Sequence, residues 1–259
     1  MPIPTTIAKG AITPQIGLAE RMKLYSLLYS KINEIYEDSP ELHKHRDVTL
    51  DLLKKKANGN SPPLSSSSSK PTVIIAVGHS RRGDQGAWTM EGGVSEHAYN
   101  SKIAKELCEL LEDSGLVTPV VIDSYGGKTY TQAIKWLSEK VNSFQNVALC
   151  VELHFNASGN PKAKGHEFLF WHSSKKGKEV AECFSKNMSE FFPSLVSRGA
   201  KPIKSGQRGS MFLRKLSPVC LIAEPFFGSS AIDWGTFRTK KGQKTLVDCY
   251  FEAVLESVL

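Results

Sequence analysis

A chain of 259 residues is long enough for one substantial domain with an appendage, and its 40% hydrophobic content fits an ordinary soluble protein. No run approaches the roughly 18 apolar residues of a membrane span, which argues against stable membrane insertion. The formal net charge of +7 favours anionic partners, but no zinc-finger spacing, aromatic-basic RNA-binding signature or Walker loop supports nucleic acid as one of them. The opening Met1-Pro2-Ile3-Pro4-Thr5-Thr6 lacks the charged and apolar regions of a signal peptide, so the product is expected to be made in the cytoplasm. The five cysteines are an odd number without a Cys-x-x-Cys pair and read as reduced core residues.

Residues 17–37 place Leu18, Met22, Tyr25, Leu28, Ile32 and Ile35 at helical spacing, and residues 48–56 can form a second short helix. Ser61-Pro62-Pro63-Leu64 and the serines Ser65 to Ser69 cannot pack a core and read as a linker. The expected organisation is therefore a small helical module over 1–60, a linker over 61–70 and a larger domain over 71–259. The module's apolar stripe must be buried, by wall binding, by self-association of the N-terminal helices, or as plain core.

Beyond the linker, strand and helix alternate. A strand at 72–77 ends in Gly78-His79, a helix runs from 95 to 113, a strand from 117 to 122, a helix from 131 to 142 and a strand from 147 to 153 that ends in His154. A strand follows around Glu167 to Trp171, then a helix over 177–191, a basic loop from Arg198 to Lys215, a strand over 219–223 that ends in Glu224, and a closing helix over 241–258. This alternation predicts an α/β fold: an open, mainly parallel twisted sheet with helices on both faces.

In such sheets chemistry gathers beyond the carboxyl ends of the strands. Three apolar strands deliver His79, His154 and Glu224 there. Ser95 reads as an N-cap, which puts Glu96 in the first turn of a helix, where the helix dipole alone would favour a carboxylate. Beside His79 and His154 it becomes the anionic member of a two-histidine, one-carboxylate zinc site with an open fourth position. His97 and His166 are the substitutes if that ligand set is displaced by a residue; His43, His45 and His172 read as surface histidines. Glu152, on the same strand face as His154, and Glu167 compete with Glu224 as proton acceptor. Among the basic residues, Arg81, Arg82 and Arg214 are candidates for docking substrate carboxylates; the whole stretch carrying Arg198, Lys201, Lys204, Arg208, Arg214 and Lys215 is a plausible dock for them, with a solvated loop as the competing reading.

Gly78-His79 with Asp84-Gln85-Gly86-Ala87, Glu96 with Asn100, Leu153-His154-Phe155-Asn156-Ala157 and Glu224-Pro225-Phe226-Phe227 resemble, in order, the signatures of the zinc-dependent N-acetylmuramoyl-L-alanine amidases of the Amidase_3 type. The resemblance spans roughly residues 72 to 259, although Ser80-Arg81-Arg82 stands where that family usually has a second glycine after the first histidine. It implies zinc held by His79, Glu96 and His154, with Glu224 as catalytic carboxylate; Asn156 joins the arginines as a candidate substrate-binding residue. The implied substrate is peptidoglycan, cut between N-acetylmuramic acid and L-alanine. A lysis enzyme resembling a phage endolysin is the expected role. It would act at the bacterial cell wall after release from the cytoplasm, the host's if phage-encoded. The rival readings are a zinc carboxypeptidase or other peptidase acting on wall peptides, and a non-catalytic wall-binding protein.

Overall fold

The computed structural model describes residues 70–90 and 93–259. The helices expected over 17–37 and 48–56, and the linker up to Ser69, lie outside the described residues. The strands are β1 (Thr72–Val77), β2 (Thr118–Ile122), β3 (Val147–Leu153), β4 (His166–Trp171), β5 (Ser197–Ile203) and β6 (Val219–Glu224). The helices are α1 (Glu96–Ser114), α2 (Tyr130–Asn142), α3 (Lys175–Phe191), α4 (Ser210–Lys215), α5 (Ala231–Phe237) and α6 (Lys240–Val258). The strands form one sheet in the order β2-β1-β3-β6-β4-β5. All neighbours run parallel except β4 and β6, which are antiparallel.

The centre of the sheet is apolar because both of its faces are covered. Every residue of β1 is buried, which is why Val73 to Val77 read as a continuous apolar run rather than an alternating one. On one face Ile74, Ala76, Cys150 and Ile222 pack with Ile134 and Leu137 of α2 and with Phe212 and Leu213 of α4. On the other, α1 and α3 pack against α6. The helix ends follow local chemistry: Ser95 accepts from the Ala98 amide at the start of α1, Gly115 closes it in the left-handed region at φ 65°, and Thr129 with Gln132 forms a capping box on α2.

Two features depart from the sequence reading. The basic stretch from Arg198 to Lys215 is not a single loop but β5, a turn and α4. Gly199 and Pro202 lie inside β5, a pairing strand only because it is the edge of the sheet, where a missing amide donor is tolerated. The short α5 was not anticipated either; Ser230 caps it by accepting from the Asp233 amide. Among the described residues no helix is long and apolar enough to cross a membrane.

The topology sets up the site. β3 and β6 are in register through Leu153 and Ala223, so His154 and Glu224 leave the sheet side by side, and the His154 amide still donates to the Ala223 carbonyl at 3.0 Å. Gly78, at the end of β1, donates to the Leu153 carbonyl at 2.9 Å and brings His79 to the same edge.

Candidate metal centre and catalytic cleft

His79, Glu96 and His154 each present a ligand atom, and these atoms lie within 4.8 Å of one another. Two glycines make that possible. A Cβ at Gly78 would stand 2.3 Å from the His154 ring, and one at Gly86 would stand 2.7 Å from both Glu96 and His79. Gly86 also has φ 68°, in the left-handed region that glycine adopts without strain. His79 itself has φ 59° without being glycine, an arrangement the surrounding contacts must hold.

Those contacts are specific. His79 Nδ1 lies 2.9 Å from Asp84 Oδ1; an ionised carboxylate only accepts, so Nδ1 is the donor. Asp84 is fixed in turn by the Gly86 amide at 3.1 Å and by Arg81 at 3.2 Å. His79 Nε2 is then left buried with no hydrogen-bond partner, 3.4 Å from Glu96 Oε2. Glu96 is 1% exposed, and its oxygens accept from the Ala87 amide at 3.0 Å and the Phe155 amide at 3.2 Å. The His154 ring stands between two carboxylates, Nδ1 at 2.7 Å from Glu96 Oε1 and Nε2 at 3.1 Å from Glu152 Oε2.

Electrostatics tie the three together. Burial alone would push the Glu96 pKa up, but His154 and His79 hold it well below the usual carboxylate range. Burial likewise pulls both histidines down, yet Glu152 and Glu96 carry His154 well above its ordinary value, and Glu96 raises His79. An ionised carboxylate set between two imidazoles favours positive charge there, which a divalent cation supplies as well as a proton does. The donor set of two imidazoles and one carboxylate, with one nitrogen unpartnered, suits zinc.

Glu224 stands beside this cluster at the end of β6, 9% exposed, and its Oε2 has no hydrogen-bond partner. Its pKa is pushed up to about 7 by burial, with the Glu96 and Glu167 carboxylates adding to the rise while His154 and Arg208 oppose it. Glu167 is its partner across the β4–β6 pair. Unlike Glu224, Glu167 is saturated: Asn156 donates to Oε1 at 2.7 Å and Arg198 to Oε2 at 2.6 Å. Glu152 is saturated too, since the Tyr125 hydroxyl donates to Oε1 at 2.9 Å while Oε2 faces His154. The free carboxyl oxygen of Glu224 thus lies beside the three residues that could hold a metal ion.

These groups sit at a cleft of about 610 Å³. The cleft takes in His79, His154, Glu152, Glu167 and Glu224, and of the expected docking residues Arg81, Asn156 and Arg214 line it while Arg82 does not. His97 points elsewhere, with Nε2 3.2 Å from the Asp123 carbonyl; His166 is buried near Ser189, and His172 packs on Trp171. Three residues of the site were not singled out by the sequence reading. Asp84 was visible only as part of a motif. Tyr125 reaches Glu152 across 27 positions, and Arg208 was one cation among six. No local signal marks either of the last two.

Residues 73–256 match the family described as N-acetylmuramoyl-L-alanine amidase. Among solved structures, the chain resembles an N-acetylmuramoyl-L-alanine amidase from Clostridium difficile 630, with 22% identity, a TM-score of 0.63 and 73% of this chain and 97% of that one covered. The CwlD amidase of Clostridioides difficile, solved with the GerS lipoprotein, is similar at 20% identity and TM-score 0.64, with 73% and 98% covered. The catalytic domain of the CD27L endolysin, which targets Clostridia difficile, shares 27% identity at TM-score 0.59, with 73% and 99% covered. A search of curated protein sequences found no match.

Proposed function

The chain belongs to the N-acetylmuramoyl-L-alanine amidase family, and from that premise we propose that it cleaves the muramoyl–alanine amide of peptidoglycan with zinc held by His79, Glu96 and His154 and with Glu224 as proton carrier. Zinc bound there supplies Lewis acidity for the scissile carbonyl and lowers the pKa of water towards about 7. The observation that carries the reading is the contrast among three carboxylates in one cleft: Glu152 and Glu167 have partners for both oxygens, whereas Glu224 keeps one oxygen free.

The chain's own groups divide the remaining tasks. Asp84 fixes the His79 tautomer through Nδ1 and leaves Nε2 as the metal-facing atom. Glu224, ionised, takes a proton from the attacking water, and as the C–N bond breaks it passes that proton to the alanine nitrogen, so that the amine leaves neutral. A group titrating near neutrality suits both halves of that transfer. Arg198 and Asn156 occupy both oxygens of Glu167, which keeps a second acceptor out of the reaction.

The role we assign is lysis: an endolysin-like enzyme that acts at the bacterial wall after release from the cytoplasm in which it is made. The likeness to the CD27L catalytic domain supports this, and the net charge of +7 suits an anionic wall polymer. Digestion of purified peptidoglycan tests the chemistry. Mass spectrometry should find intact stem peptides with a free N-terminal alanine; new reducing sugar ends, or stems shortened from the carboxyl end, would overturn the amidase assignment.

A further inference from the structure

The catalytic floor is acidic, with Glu152, Glu167 and Glu224 on it, yet a peptidoglycan stem carries carboxylates of its own. An anionic substrate meeting that floor needs a cation placed to receive it. Arg81, Arg208 and Arg214 line the cleft, and their engagements differ. Arg81 is held by Asp84 at 3.2 Å and donates to the Lys128 carbonyl at 3.0 Å. Arg214 lies over the Trp171 ring at 5.9 Å. Arg198, nearby on β5, is ion-paired to Glu167 at 2.6 Å and lies over the Phe227 ring at 5.0 Å.

Arg208 has none of these ties. Among the described residues it forms no ion pair, hydrogen bond or ring contact, and it is exposed on the cleft wall. Its backbone is nevertheless braced on both sides. Gln207 donates its amide to the Lys204 carbonyl at 3.2 Å and takes the Lys204 amide on its side chain, and Ser210 donates to the Gln207 carbonyl at 3.1 Å. A free guanidinium on a pinned turn is a ready fork for a carboxylate, which it binds through two parallel N–H groups as no ammonium can. Its charge reaches the reacting carboxyl as well, being among the groups that oppose the upward shift of Glu224.

We propose that Arg208 is a specificity-determining residue that binds a carboxylate of the stem peptide, on the leaving-amine side of the scissile bond, and so sets which way the substrate lies across the cleft. The proposal rests on the amidase reading above and adds to it a preference for anionic stems. Arg208 draws the stem carboxylate to its own wall and away from the Glu167 and Glu224 carboxylates, while the alanine nitrogen, at the scissile bond, stays near Glu224.

The test uses the full chain, zinc-loaded, and two substrates of one shape: N-acetylmuramoyl-L-alanyl-D-glutamic acid and its uncharged diamide. Wild type should hydrolyse the diacid with a kcat/KM roughly tenfold above the diamide, chiefly through KM, as a charged hydrogen bond implies. Arg208→Gln should bring that ratio close to one, and Arg208→Lys, which keeps the charge but loses the fork, should restore only part of it. A wild-type ratio of one, a ratio in Arg208→Gln equal to the wild type's, or an equal loss on both substrates would overturn the proposal. If the wild type released no alanyl peptide from either substrate, the amidase reading itself would fall and this inference with it.

Discussion

At the level of single side chains, Glu224 is distinguished by what it lacks. With one oxygen unbonded and a pKa near 7, it can change protonation, whereas both oxygens of Glu152 and of Glu167 already have partners. Glu224→Gln preserves shape and removes the acceptor, so metal content measured by elemental analysis should stay at the wild-type level while turnover falls roughly 10²–10⁴-fold. Turnover within a factor of a few would move the proton transfer to another carboxylate. The same group makes the metal-free protein sensitive to pH. Its folded pKa of about 7 lies above the ordinary 4.5, so its favourable contribution is complete below pH 4.5 and is lost as pH rises through 7. The deficit reaches about 3 kcal/mol at alkaline pH. Thermal unfolding of chelator-treated protein should therefore show Glu224→Gln gaining on wild type between pH 4.5 and pH 8; a constant difference across that range would contradict the buried-carboxyl account. Glu152 acts at one remove, by holding His154 with the help of Tyr125. Glu152→Gln should weaken zinc binding roughly 10- to 100-fold, as loss of a carboxylate behind a ligating histidine does elsewhere. Competition with a chelator reads this directly, and an unchanged affinity would make the pair a matter of packing alone.

The strands and helices around the site explain why these side chains meet. Parallel β1, β3 and β6 end at one edge, and each delivers its site residue, His79, His154 or Glu224, within two residues of the strand's end. The glycine at the end of β1 is there because the His154 ring occupies the space of its missing side chain. Gly78→Ala must push that ring by an ångström or more, since the added carbon would lie 2.3 Å from it. The variant should stay folded, because Gly78 has no left-handed φ to lose, yet it should bind less zinc than wild type. Full zinc occupancy at wild-type affinity would show that His154 has more freedom than the packing indicates. On the opposite side of the site, α1 enters through Ser95, whose hydroxyl both caps the helix and donates to Gln85 at 3.0 Å. That link couples the loop behind His79 to the turn that carries Glu96.

For the chain as a whole, the organisation expected from composition places a linker at 61–70 and the catalytic unit at 71–259. Residues 70–259 expressed alone should then fold, bind zinc and hydrolyse small soluble muropeptides. Should the N-terminal module bind wall, the loss on truncation would fall mainly on intact sacculi, where tethering raises local concentration; should it self-associate, the hydrodynamic size would change instead. An insoluble or zinc-free product would place the stripe from Leu18 to Ile35 in the catalytic core. The family match covers residues 73–256, inside the unit expected over 71–259.

His79, His154 and Glu224 were legible in the sequence because central parallel strands are buried on both faces, which writes them as apolar runs, broken only by Glu152 in β3, whose polar end stands out. Helix α1 was legible from its cap and its period, and the fold class from the alternation of the two patterns. β5 was not, since an edge strand carrying Gly199, Pro202 and two basic residues has neither a period nor an apolar run. Nor could the sequence choose among three glutamates, or among six cations on one stretch. Tyr125 with Glu152, Asn156 with Glu167 and Arg198 with Glu167 are pairings across 11 to 31 positions, set by how strands stack in register. Local patterning records which residues a segment buries and with what period. Which carboxylate keeps a free oxygen, and which arginine keeps a free guanidinium, depends on neighbours brought from elsewhere in the chain, and only the tertiary structure decides that.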